Sequence, residues 1–80
     1  MQTIEELNDS LDNLIFNRKT IARNEGIRGV VFKETRQLFK KIDRTNRDPQ
    51  WVQLLQLIDD KILEIELQIE QLENENNGEI

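Results

Sequence analysis

The stretch DPQWVQLLQLIDDKILEIELQIEQL, residues 48–72, decides the fold of this chain. Trp51, Leu55, Ile58, Ile62, Ile65, Ile69 and Leu72 follow one another at alternating steps of four and three. That spacing holds them on one side of a helix for three heptads, the pattern of a coiled-coil seam. Asp48 and Pro49 mark the start, because aspartate caps orphan amides and proline suits the first helical position. Val52, Leu54 and Leu57 make the first two turns apolar almost all round, which predicts that end as the most buried. After Leu72 the chain turns polar, and the pattern predicts a helix over about 49–75 with a frayed tail at 76–80.

Asn46 to Pro49 also closes a second helix, expected over about 29–45. Val31, Thr35, Leu38 and Ile42 keep its helical period, and Val30, Phe32 and Phe39 add bulk beside them. A first helix is expected over about 4–25. Thr3 followed by Glu6 is a capping-box pattern, and Ile4, Leu7, Leu11, Leu14 and Ile21 form one stripe with Arg18 in the gap. Gly26 reads as a left-handed stop, with Ile27 folding back on the last turn. Trp51 and the phenylalanines Phe16, Phe32 and Phe39 read as core. Short connections predict an all-α fold: a small three-helix up-down-up bundle, one domain over 1–75, with a long, coiled-coil-like C-terminal helix. At 1.5 Å per residue that helix is ~40 Å long and overhangs the others. The overhang leaves part of its seam uncovered, so Ile62, Ile65, Ile69 and Leu72 are the expected association surface of a homodimer.

Composition removes most catalytic chemistry. Among the 80 residues there is no cysteine, histidine or tyrosine, and Ser10 is the single serine. No Ser–His or Cys–His nucleophile can be built from the chain, no thiolate metal site exists, and no glycine-rich phosphate loop is present. Glu66, Glu70 and Glu73 share a helix face but read as solvated surface. No cofactor is expected. The chain has no apolar run near the ~20 residues a membrane span needs and no secretory leader, so it reads as cytoplasmic.

The net charge of −5 hides a strong asymmetry. Residues 18–47 hold ten of the eleven basic side chains against three acids, a net of +7. Residues 1–17 carry −4 and residues 48–80 carry −8. Clustered Lys and Arg release counterions when they meet phosphates. Arg23, Arg28, Lys33, Arg36, Lys40, Lys41 and Arg44 are therefore the candidate anion-binding residues. The competing expectation is internal neutralisation by the acidic helices on either side.

One resemblance rests on two short stretches. Leu11-Asp12-Asn13-Leu14 followed by Arg18 resembles part of the first helix of the helical chorismate mutases, and Asp48-Pro49-Gln50-Trp51 resembles the start of their last helix. The resemblance implies a three-helix enzyme with an arginine-lined pocket. This chain departs from it, because all charges in residues 1–17 are acidic and the third-helix pocket positions read Ile, Leu and Glu rather than Gln.

The residues taken together predict a non-enzymatic helical interaction module. Its basic hairpin contacts an anionic partner, single-stranded DNA or RNA within a larger protein complex. The alternative is an acidic regulator or inhibitor whose third helix (Asp59, Asp60, Glu66, Glu70, Glu73) masks a basic groove on a target protein.

Overall fold

A computed structural model describes residues 2–28, 30 and 32–77, with side chains as far as Glu75. Three helices carry the described residues: α1 (Ile4–Asn24), α2 (Lys33–Phe39) and α3 (Gln50–Asn77). The expected beginning of the second helix at Gly29, the seam position of Val31 and residues 78–80 lie outside the described residues; of the frayed tail expected at 76–80, residues 76 and 77 instead continue α3.

The Thr3 hydroxyl accepts the Glu6 amide at 3.1 Å, so α1 starts where the capping pattern places it. Its end differs from expectation. Glu25, not Gly26, is the left-handed residue, at φ 49° and ψ 43°. The Glu25 and Gly26 amides both donate to the Ile21 carbonyl, the Gly26 bond at 3.4 Å. The cap geometry is thus complete with a side-chain-bearing residue where glycine costs least.

The middle helix is much shorter than the expected 29–45. Phe32 is extended and offers no side-chain cap, so α2 begins only at Lys33. Its far end tightens, because the Lys41 and Ile42 amides bond three residues back, to Leu38 and Phe39. Asp43 then accepts from the Thr45 amide and hydroxyl at 2.9 and 2.6 Å. This local bonding competes with helix continuation and turns the chain.

The start of α3 lies one residue later than Asp48 as cap would place it. The Pro49 carbonyl accepts the first helical bonds, from Val52 and Gln53. The turn before it is held by a side chain that seam counting passes over. Gln53, nearly buried, accepts the Asp43 amide through Oε1 at 3.1 Å and donates from Nε2 to the Asp48 carbonyl at 3.0 Å.

The fold is an all-α, three-helix bundle with a long C-terminal helix, and most of its packing lies between α1 and α3. The direction of the helices is the point of difference. Arg18 of α1 meets Asp59 of α3, while Leu7 shares a groove with Leu72 near the other end, so α1 and α3 run antiparallel. Strict up-down-up alternation would run them the same way. A seven-residue helix spans only ~10 Å, too little to carry the chain back along α1. α2 instead bridges the pair. Its first turn is tied to α1, where Asn13 donates to the Glu34 carboxylate at 3.5 Å and Phe16 meets Phe32 edge to face, and the segment after it is tied to α3 through Gln53.

The core consists of Leu7, Leu14, Ile21, Leu38, Leu54, Ile58 and Ile65. Burying such side chains contributes roughly 1.5–3 kcal/mol each against their exposed state. In α1 the polar Asn17, rather than Arg18, fills the space between Leu14 and Ile21 and is fully buried. In α2 the Thr35 hydroxyl is buried with no hydrogen-bond partner among the described residues.

Candidate anion-binding surface

All seven candidate basic residues are exposed. Their arrangement follows from helix period. Thr35 and Leu38 are the buried residues of α2, which turns Lys33, Arg36 and Lys40 to the opposite side at steps of three and four. Arg23 stands in the last turn of α1, where a cation complements the negative end of the helix dipole. Arg28 lines a shallow recess with Asn24, Gly26 and Ile27, just past that end. Arg44 lies in the turn between α2 and α3 and is separated from the Arg23–Lys33 group by the length of α2.

Lys33 and Lys41 have a second environment. They line a groove of about 660 Å³ among the three helices, floored in part by Leu38 and Ile65. Glu6, Asp9, Glu34 and Lys61 share its walls. The groove therefore holds both signs, and it tempers the positive potential on that side of α2. Arg36 and Lys40 are not among its lining residues.

Internal neutralisation accounts for little of this charge. Among the described residues the ion pairs are Arg18–Asp59 and Lys61–Glu64, and neither uses one of the seven. Arg18 donates from Nε and, at 3.4 Å, from Nη2 to the Asp59 carboxylate. That hydrogen bond, and then the charge of Asp59, hold the guanidinium proton more tightly than usual. Both side chains are about half exposed, so the pair adds only ~0.2–1 kcal/mol. The arginine that carries the mutase resemblance is thus engaged on the outside of the α1–α3 pair, and among the described residues no arginine lines the main groove.

The four residues expected to join two copies sit elsewhere than on a free seam. Ile65 is only 3% exposed, and Ile62, Ile69 and Leu72 pack against the same core. Antiparallel α1 covers the region that a parallel arrangement would have left open. The exposed large apolar side chains of α3 are Leu63 and Leu67, on the far side from Ile58 and Ile65. The heptad reading missed them because it tracks one seam only. Phe16, expected in the core, is 57% exposed. The signal available for it was its position two residues past Leu14, about 200° around the helix from the core stripe.

Among the described residues no group of three His, Cys, Asp or Glu side chains is placed to hold a metal ion. No helix among them is long and apolar enough to cross a membrane. No family model, no curated protein and no solved structure matches this chain.

Proposed function

We propose that this chain is a non-enzymatic helical interaction module whose basic segment, from Arg23 through α2 to Arg44, contacts a nucleic acid within a larger complex. The observation that carries the reading is the state of the seven cations: each reaches solvent, and none enters an ion pair among the described residues. Solvent-facing, unpaired Lys and Arg favour phosphates, whose condensed counterions they release on contact. The acidic α3 then works as a rigid support, and its charge keeps the module from coating duplex DNA indiscriminately.

The test is titration of labelled single-stranded DNA at about 50 and 200 mM salt. For single strands the logarithm of affinity falls with the logarithm of salt by ~0.7 for each phosphate neutralised. Changing Lys33, Arg36 and Lys40 together to Glu is expected to abolish binding while leaving helicity intact, because none of the three is buried. Absence of binding by the native protein at the lower salt would remove this reading.

A further inference from the structure

We propose that Phe16 is a stacking platform for a nucleobase, set in a frame of cations, which makes the preferred ligand single-stranded nucleic acid rather than duplex or a base-free polyanion. The inference rests on the reading of the basic surface given above and adds the contact that reads bases. Phe39 and Trp51 pack against the core and Phe32 is half-buried, whereas 57% of Phe16 is open to solvent. The ring is nevertheless held. Phe32 meets it edge to face, with centroids 5.9 Å apart and planes at 81°. Such a contact fixes an aromatic pair without covering both rings.

The surroundings suit a phosphate chain. Lys19 and Arg23 lie three and seven residues on from Phe16, on the same side of α1, and both are exposed. Lys33 directly follows Phe32, and Arg36, also exposed, lies one turn further along α2. Cations thus flank both rings of the pair in sequence: Lys19 and Arg23 on the face of α1 that carries Phe16, and Lys33 beside Phe32. The acids nearby are Asp12 and Asp9, one and two turns earlier on α1, and Glu34, whose carboxylate accepts a hydrogen bond from Asn13; Asp9 and Glu34 share the groove that Lys33 lines. An exposed aromatic ring among lysines and arginines is the pairing that single-strand binders use: cations follow the backbone and the ring takes a base face. Bases inside a duplex are already stacked, and a base-free polyanion has nothing to offer the ring.

The experiment compares ligands that differ only in their bases. Native protein is titrated by fluorescence anisotropy with labelled oligothymidylate, with an abasic oligomer of equal length, and with inorganic polyphosphate. Oligothymidylate is expected to bind about tenfold more tightly than the abasic oligomer, the lower part of the range for one stacked base. Phe16→Leu is expected to erase that tenfold difference and to leave polyphosphate binding unchanged. Phe16→Trp is expected to restore it. Equal affinity of native protein for the thymidylate and abasic oligomers would overturn the stacking role while the basic surface stands, and that comparison needs no variant to fold. Failure of native protein to bind any of the three at about 50 mM salt would instead overturn the parent reading, and this inference with it.

Discussion

Replacing Glu25 by glycine is expected to make the protein more stable, although it removes a side chain and adds a second glycine beside Gly26. Glu25 holds φ 49° and ψ 43° at the C-terminal end of α1. A left-handed conformation costs a residue with a Cβ about 1–2 kcal/mol, and glycine avoids that cost. A carboxylate at a helix C-terminus adds an unfavourable dipole interaction of ~0.3 kcal/mol at an exposed site. Against these gains, glycine enlarges the freedom of the unfolded chain by ~0.4–1 kcal/mol. The net expectation is a gain of about 1 kcal/mol, which for a domain this small raises the melting temperature by roughly 4–8 °C. Thermal unfolding followed by circular dichroism reads it directly. Glu25→Gln separates the terms, because it removes the charge and keeps the Cβ, and should recover only the dipole part. Gly26→Ala completes the test. Gly26 does not occupy the left-handed region, and a Cβ there meets only the Asn24 carbonyl at an ordinary 3.8 Å. Alanine at that position should therefore be neutral or stabilising. If Glu25→Gly proved no more stable than Glu25→Gln, or if Gly26→Ala were destabilised, the placement of the cap would be refuted.

Thr35→Val should stabilise by about 1 kcal/mol, because a buried hydroxyl without a partner is replaced by a methyl group; a lower melting temperature would mean that the hydroxyl is satisfied. Gln53→Ala should cost about 1–3 kcal/mol, since it strips partners from the Asp43 amide and the Asp48 carbonyl, and chemical denaturation would reveal a smaller loss if the turn held itself. Ile65→Asp should unfold the chain rather than merely change its assembly: Ile65→Ala alone would cost ~2–5 kcal/mol, and a charge at that depth costs more. A well-folded Ile65→Asp protein of smaller size on a sizing column would restore this residue to an interface between copies. The Asp43 carboxyl is held below the usual aspartate range by its hydrogen bonds from the Thr45 hydroxyl and amide. Its contribution to stability is therefore present above the unfolded value of ~3.9 and is lost as pH falls through the lower folded value. An NMR titration should place its midpoint below that of the Thr45→Ala variant, and coincident midpoints would contradict the geometry.

Much of the helical content was legible in the chain because short-range rules set it. Thr3 and Glu6 announce the start of α1, and the four-three alternation from Trp51 to Leu72 announces α3. The middle of the chain was less legible. Val30 to Thr45 keeps a helical period, but Phe32 supplies no cap and Asp43 bonds to Thr45 instead of continuing the helix. Periodicity measures which face is apolar and says little about where such local competition ends an element. That the seven basic residues reach solvent was readable from composition, since Lys and Arg seldom bury without a partner. The environment of Phe16 was not, because it depends on Phe32 arriving from beyond the end of α1.

The sequence alone determined that the chain is helical, that it carries no cysteine, histidine or tyrosine, and that its cations crowd into the middle of the chain. Those properties follow from residue type and spacing, which act over one or two turns. Only the tertiary structure decided that α1 and α3 run antiparallel, that Ile65 belongs to the core, and that Phe32 meets Phe16. The physical reason is that an amphipathic stripe can be covered by a neighbour running in either direction. The choice between directions rests on the length of α2 and on pairings such as Arg18 with Asp59, which lie 41 residues apart and leave no mark on local pattern.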